Sequence, residues 1–205
     1  MPEQVSAEIR KLAAIAYGEA STLNDENEIG GIAFAVANRA RAWGAKSVDA
    51  LLKADTNYTY AVTDGNERYN KLMKASEEDI QKDEGMKIAI VMARNALGNT
   101  GDDPSNGGLW WDGADIKSNY SKHAKVKDGI HFGDPKHNIY NIKESSQGEV
   151  TIYWKVRNKK TGKEVNSKSR GSYSHVWIST AAYGGTIFWK YDGDFLKATG
   201  AKNYK

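Results

Sequence analysis

The residues best placed for chemistry in this sequence are carboxylates at the ends of apolar helical segments. In the stretch IAYGEASTL (residues 15–23), Glu19 extends a helical stripe of apolar residues, which is formed by Ile9, Leu12, Ala13 and Ala16. A carboxylic acid in partly apolar surroundings keeps its proton at a higher pH than one in water, and a general acid needs this property. The preceding Gly18 has no side chain, so a polymer or another backbone could approach closely. The alternative is a solvated glutamate at a frayed helix end.

A second pair of carboxylates follows after a short loop. Glu26 and Glu28 begin the next apolar helical segment, and antiparallel packing of the two helices would bring this turn back towards Glu19. Cleavage of a glycosidic bond needs one protonated acid, and a second carboxylate can direct a water or stabilise positive charge on the sugar. It could also hold a cation. Acidic residues in a first helical turn also favour the helix dipole. We predict this dipole role for Glu26, and both roles stay open for Glu28.

Aromatic residues with a polar edge are frequent, with six Trp and eleven Tyr against four Phe. Such side chains can stack on sugar rings. The segment NYTYAVTDGNERY (residues 57–69) combines tyrosines with a polar turn, as a saccharide groove would need. The candidate substrate-binding residues are Ser21, Tyr58, Tyr60, Asp64, Trp110 and Trp111. In the alternative interpretation the tyrosines only pack, and Asp64 forms an Asx turn that caps the following helix.

Other chemistries find little support in the residue pattern. The four histidines form no HExxH motif, and neither NDENE nor DDPSNGG has the spacing of an EF-hand, so we predict no metal and no cofactor. Cysteine is absent, which excludes thiol catalysis and disulfides. We find no phosphate-binding glycine-rich loop and no serine elbow.

The composition is that of one globular domain, and we predict a single domain over residues 1–205. The net charge of +3 is too small to indicate a nucleic-acid partner. No apolar run is long enough to span a membrane, and the first ten residues, MPEQVSAEIR, lack the apolar core of a signal peptide. If the protein acts outside the cytoplasm, we therefore expect another machinery to export it.

Periodicity predicts a helical first half and a β-rich second half, hence an α+β fold. Ser6 would cap a first helix that ends near Gly18. Asn24 or Asp25 would cap a second helix, and Ser47 would cap a short third helix. A single helix over residues 76–98 would begin with a Ser76–Asp79 capping box. The alternating stretch EVTIYWKVRNKKTGKEV predicts a β-hairpin, and SHVWIST and GGTIFWKY predict further strands.

Three stretches together resemble cell-wall hydrolases of the spore-cortex-lytic type. LAAIAYGEAS is similar to the helix that carries the catalytic glutamate of this family. EIGGIAFAVANRA is similar to its second helix, which ends in an Asn-Arg pair, here Asn38 and Arg39. YAVTDGNERYNKLMKAS and ARNALGNTGDDPSNGGLWW resemble its middle segment, so that the likeness covers about residues 8–115 in the same order. Further on, YGGTIFWK resembles the closing strand, but Thr186 stands where the family has a histidine.

The resemblance implies a lysozyme-like helical body that cleaves peptidoglycan between N-acetylmuramic acid and N-acetylglucosamine, with Glu19 as the acid. A β-rich insertion over about residues 120–175 departs from the spore enzymes. This insertion and the N-terminal residues, which lack the apolar core of a signal peptide, are more similar to two other kinds of protein. These are a lysozyme-like toxin delivered by a machine such as type VI secretion, and a phage lysin. We therefore expect action in the periplasm or cell wall and, for a toxin, a cognate immunity protein. A lytic transglycosylase and a non-catalytic peptidoglycan-binding module remain the alternatives.

Overall fold

The computed structural model describes residues 5–56 and 58–203 and has an α+β fold, as predicted. The helices of this part of the chain are α1 (Ala7–Glu19), α2 (Glu26–Ala42), α3 (Val48–Ala54), α4 (Glu67–Lys74), α5 (Glu77–Lys82), α6 (Glu84–Gly98), α7 (Asp115–Ser118), α8 (Ala124–Asp128) and α9 (Gly193–Thr199). The strands are β1 (Trp110–Asp112), β2 (Ile130–Phe132), β3 (Val150–Arg157), β4 (Glu164–Tyr173), β5 (Trp177–Tyr183) and β6 (Thr186–Tyr191).

The first six helices form a body whose ends are set by local capping. The side chains of Ser6, Asp25 and Ser47 accept hydrogen bonds from the first turns of α1, α2 and α3, which confirms these predicted starts. The predicted capping box at Ser76 is also present. The single helix predicted over residues 76–98 is wrong, because Asp83 ends α5 and its side chain caps α6 through the backbone N–H of Met86.

A four-stranded sheet packs against one side of this body. Its strand order is β1-β6-β5-β2, with antiparallel pairs except for the parallel pair β2–β5. The central strand β6 is buried on both faces: Phe188 belongs to the helical core, whereas Ile187 and Trp189 belong to a second core under the sheet. At Gly31 of α2, a Cβ atom would lie 2.4 Å from Cζ of Phe188, so this glycine permits the close helix–sheet contact.

The predicted hairpin is confirmed as a separate two-stranded sheet, β3–β4. Only its base is covered, by α9, through an edge contact of Tyr173 with Phe195 whose ring centroids lie 5.0 Å apart. The prediction of a β-rich segment over 120–175 is wrong for its first part. Residues 120–149 form two short 3₁₀ helices, α8, the three-residue strand β2 and irregular backbone. In the described part of the chain, no helix has the length and apolar character to cross a membrane.

Candidate active site

A groove of about 560 Å³ lies where the end of α1 meets the sheet. Four segments form most of it: the α1–α2 junction, the loop before α4, β1 with the turn that follows, and the β5–β6 turn. Lys125 of α8 and Tyr140 complete the lining. The residues that line the groove include Glu19, Ser21, Glu28, Asp55, Tyr58, Thr59, Tyr60, Trp110, Trp111, Asp112, Asp115, Lys125, Tyr140, Gly185 and Thr186. A volume and shape of this kind can hold part of a sugar chain.

Glu19 is the last residue of α1, and its carboxylate lies in the groove with one oxygen fixed. Oε1 accepts hydrogen bonds from Oγ1 of Thr59 at 2.5 Å and from the backbone N–H of Ala61 at 2.8 Å. Among the described residues, none donates to Oε2. A proton carried on Oε2 would leave both bonds to Oε1 intact, which is the arrangement that a positioned acid requires.

Gly18 makes this position of Glu19 compatible with the packing of α4. A Cβ atom at Gly18 would lie 2.9 Å from Oδ1 of Asn66, and Nδ2 of Asn66 donates to the carbonyl of Gly18 at 2.9 Å. On α4, Arg68 donates to the carbonyls of Tyr17 and Ser21 at 2.7 and 3.0 Å. The close approach that Gly18 allows is therefore to the N-terminal end of α4, which fixes the end of α1.

Glu28 also lines the groove, but it is only 1% exposed, and both oxygens of its carboxylate already accept hydrogen bonds. Its Oε2 accepts from the backbone N–H and the hydroxyl of Ser21, at 3.0 and 2.5 Å. Its Oε1 accepts from the N–H of Gly185 at 2.8 Å and the hydroxyl of Thr186 at 2.9 Å. Four donors use the acceptor positions of a carboxylate, so this geometry favours a role in joining α2 to the β5–β6 turn over directing a water.

The β5–β6 turn is shaped around Glu28. Gly184 has φ = +55°, and a Cβ atom there would lie 2.4 Å from Oε2 of Glu28, so a side chain would collide with the carboxylate. The hydroxyl of Tyr140 donates to the carbonyl of Gly185 on the groove side. Burial raises the pKa of Tyr140, and the negative charge of Glu28 acts in the same direction. Tyr140 therefore remains a hydrogen-bond donor at the groove floor near neutral pH.

Aromatic residues form a second part of the groove wall and are held by a buried arginine. The guanidinium carbon of Arg39 lies 4.3 Å from the ring centroid of Tyr58 and 4.5 Å from that of Trp110, and Arg39 is ion-paired with Asp55. Burial lowers the pKa of Arg39 from its ordinary value. The hydroxyl of Tyr58 donates to the carbonyl of Leu109, and its ring meets Trp111 edge-on at 5.2 Å. Cation–π contacts, an ion pair and a hydrogen bond thus hold the rings of this wall in place.

Another part of the wall carries acidic residues paired with two cations. Nε2 of His123 lies 3.3 Å from Oδ1 of Asp112 and 3.4 Å from Oδ2 of Asp115, and Nζ of Lys125 lies 3.0 Å from Oδ2 of Asp112. Hydrogen bonds to Asp112 and then to Asp115 raise the pKa of His123 to about 9. The hydrogen bond from His123 is the main cause that lowers the pKa of Asp115. At neutral pH the two carboxylates and the two cations of this wall therefore balance each other.

Among the described residues, Asp112, Asp115 and His123 form a cluster of side chains that could bind a metal ion. Their ligand atoms lie within 4.8 Å of one another. A metal at this cluster would have to displace the proton of His123, whose pKa the two aspartates raise to about 9. Lys125 already supplies a second positive charge at Asp112. The donor set therefore fits an ion-pair cluster better than a metal site.

The structure brings most of the predicted site residues together. Glu19, Glu28, Ser21, Tyr58, Tyr60, Trp110 and Trp111 all line the groove, and Tyr60 is 67% exposed. Asp64 is outside it: its side chain is exposed and accepts from the N–H of Asn66 at 2.9 Å, which is the alternative Asx turn before α4.

Sequence reasoning missed Asp112, Asp115, Lys125 and Tyr140. The one local signal was the position of Asp112, directly after the predicted pair Trp110–Trp111.

The fold and the groove define an α+β protein with a positioned carboxylate in a partly aromatic, partly acidic cleft. No family model, no curated protein and no solved structure matches this chain.

Proposed function

We propose that this protein is a lysozyme-like peptidoglycan glycosidase that cleaves between N-acetylmuramic acid and N-acetylglucosamine, with Glu19 as the general acid. The observation that carries the proposal is the geometry of Glu19: one oxygen is fixed by Thr59 and Ala61, and the other has no donor among the described residues. The resemblance of residues 8–115 to spore-cortex-lytic hydrolases also implies Glu19 as the acid and peptidoglycan as the substrate.

In the proposed reaction, the carboxylic acid of Glu19 transfers its proton from Oε2 to the glycosidic oxygen as the bond to C1 breaks. The sugar then carries partial positive charge at C1, and the carboxylate that Glu19 becomes on losing its proton supplies a stabilising negative charge. A nucleophilic hydroxyl then attacks C1 and gives its proton to the carboxylate of Glu19, which restores the acid. The aromatic wall of Tyr58, Trp110 and Trp111 supports the sugar rings.

Two nucleophiles are compatible with this scheme. With water the enzyme is a muramidase, and with the 6-hydroxyl of the muramic acid itself it is a lytic transglycosylase that leaves anhydro ends. The sequence analysis left Glu28 open as the base that directs a water in the first case, yet four donors already occupy that carboxylate. This observation argues against Glu28 as the base, and in both cases Glu19 can take the proton of the nucleophile, so the products decide between the two reactions.

The test is clearing of purified sacculi by the wild type and by Glu19→Gln, followed by mass spectrometry of the released muropeptides. We expect clearing by the wild type and loss of about 10²- to 10⁴-fold in rate for the variant, the usual contribution of a general acid. Anhydro products are lighter by one water molecule than hydrolysis products, so their masses separate the two reactions. Intact sacculi at high protein concentration, with unchanged wall binding in both proteins, would instead indicate a non-catalytic binding module.

A bacteriolytic enzyme or a secreted antibacterial effector, acting in the periplasm or cell wall, is the proposed biological use. An effector of this kind needs a cognate immunity protein in its producer, and the groove is the surface that such an inhibitor would block. Expression of the chain together with the product of a neighbouring gene tests this. We expect a stable complex that no longer clears sacculi, and clearing that is unaffected by every neighbour would contradict it.

A further inference from the structure

The outer part of the β3–β4 hairpin, residues 153–170, is called the arm here, and it differs in charge from the rest of the protein. It contains seven of the 29 basic residues and one of the 26 acidic residues. The remainder of the chain has 22 basic and 25 acidic residues, so the arm alone makes the protein cationic. The cations are Lys155, Arg157, Lys159, Lys160, Lys163, Lys168 and Arg170.

One face of the arm is apolar and uncovered. Val156 pairs directly with Val165, so both side chains point to the same face, and Trp154 lies on it two residues earlier. Trp154, Val156 and Val165 are 47, 47 and 40% exposed. At the hairpin base the same face carries Tyr173, which packs against α9. The helix therefore covers the first half of an apolar strip and leaves the second half in contact with solvent.

The cations lie at the tip of the arm, on its other face and beside Trp154. Lys159, Lys160 and Lys163 lie at the turn that ends the arm, while Lys155 and Arg157 alternate with the apolar residues of β3 and point to the other face. The guanidinium carbon of Arg170 lies 4.6 Å from the ring centroid of Trp154. An exposed aromatic and aliphatic strip bordered by lysines is suited to a surface that offers both apolar contact and dense negative charge.

We propose that the arm binds the surface of a bilayer that contains anionic lipids. Lysines at the tip would meet the phosphate layer, and Trp154 with Val156 and Val165 would enter the boundary between headgroups and acyl chains. A soluble polyanion would use the charges but leave the apolar strip exposed. Protein interfaces favour arginine and are depleted in lysine, whereas five of the seven arm cations are lysines. Because lysine is a flexible point charge, it suits the diffuse charge of a lipid surface.

The test is co-sedimentation of the full-length protein with vesicles at low and at physiological salt. One set of vesicles contains equal parts of phosphatidylcholine and phosphatidylglycerol, and the other contains phosphatidylcholine alone. We expect binding to the anionic set that weakens with salt, and little binding to the neutral set. Replacing Lys159, Lys160 and Lys163 by Gln should lower the partition coefficient by about 100-fold at low salt, because each lysine near an anionic surface contributes about fivefold.

The matched control replaces three exposed lysines of the helical body, Lys46, Lys53 and Lys74, by Gln. Both triple variants have the same net charge, so a difference between them isolates the location of the charge. A third variant, Val156→Thr with Val165→Thr, keeps the β-branched shape and should weaken binding at both salt concentrations. Circular dichroism verifies that each variant is folded.

Several results would overturn the proposal: no binding of the wild type to anionic vesicles, equal losses in the two triple variants, or equal binding to neutral vesicles. Retention on immobilised polyglutamate without vesicle binding would assign the arm to a soluble acidic partner instead. The inference does not depend on the glycosidase proposal. Glu19→Gln should bind vesicles like the wild type, so failure of wall clearing and failure of lipid binding are separately visible.

Discussion

The end of α1 and the start of α2 each place a glutamate in the same groove, yet the two carboxylates have different surroundings. Among the residues that the structure describes, Glu19 has two donors, both on Oε1 and both from the loop before α4. Glu28 has four donors, which come from the α1–α2 loop and from the β5–β6 turn. A carboxylate with an oxygen left over can exchange a proton with a ligand, whereas a saturated one holds elements together. The comparison therefore supports the proposal that Glu19 is the acid, and it gives Glu28 a structural role.

The largest expected effect is loss of activity in Glu19→Gln. The amide can still accept from Thr59 and Ala61 through its oxygen, so the free energy of unfolding should change by less than about 1 kcal/mol. The lost acid should reduce clearing of sacculi by about 10²- to 10⁴-fold. Urea unfolding and turbidity measure the two quantities. Normal clearing by a folded Glu19→Gln protein would remove Glu19 from the reaction.

The second prediction concerns Glu28→Gln, which should act on stability. An amide nitrogen would face two donors whichever way the group is turned, so we expect a loss of about 2–4 kcal/mol in the free energy of unfolding. The matched control is Glu26→Gln, two residues earlier and exposed, which should change it by less than about 0.5 kcal/mol. If Glu28→Gln kept full stability and abolished clearing, the two roles in the comparison would be reversed or shared.

Two buried threonines sharpen the comparison, because each donates its hydroxyl to one of the glutamates. Thr186→Val removes a donor from Glu28 and should cost about 1–2 kcal/mol of unfolding free energy with activity retained. Thr59→Val removes a donor that positions Glu19 and should lower the clearing rate by about tenfold. Urea unfolding and turbidity of both variants, side by side, test this. The same pattern of loss in both would contradict separate roles.

The smallest effect is expected at the acidic wall, in the pH dependence of stability. The pKa of His123 is raised to about 9, so its ion pairs stabilise the fold fully below pH 6.5 and lose this contribution as the pH rises through 9. At about pH 6, the free energy of unfolding of the wild type should exceed that of His123→Gln by about 1–2 kcal/mol. This figure includes a reduction for screening by solvent. Urea unfolding at about pH 6 and about pH 10 measures the difference. A constant difference would mean that His123 acts through packing alone.

Much of the helical body was predictable, because helix ends depend on residues close in the sequence. Ser6, Asp25 and Ser47 cap their helices through neighbours three residues away. The hairpin was predictable for the same reason, since its alternation and its turn are local. The break at Asp83 was missed although aspartate is a favoured N-cap residue, because a charged residue also fits the exposed face of a continuous helix.

The candidate site was predicted on one side and missed on the other. Glu19 follows from helical periodicity, and the aromatic pair Trp110–Trp111 was visible in the sequence. Asp115 and Lys125 could not be assigned to the groove, because their positions depend on the pairing of β1 with β6, between residues far apart in the chain. Asp64 was assigned to the groove in error, since an Asx turn and a binding loop have the same residue types.

By itself, the sequence determined where helices begin, which strands form the hairpin, and that Glu19 closes an apolar stripe. These features depend on hydrogen bonds and periodicity over a few residues. Only the tertiary structure decided the role of Glu28, whose carboxylate accepts from Gly185, 157 residues further along the chain. The reason is physical: a carboxylate becomes a structural anchor or a reagent according to the donors that reach it, and long-range packing brings those donors.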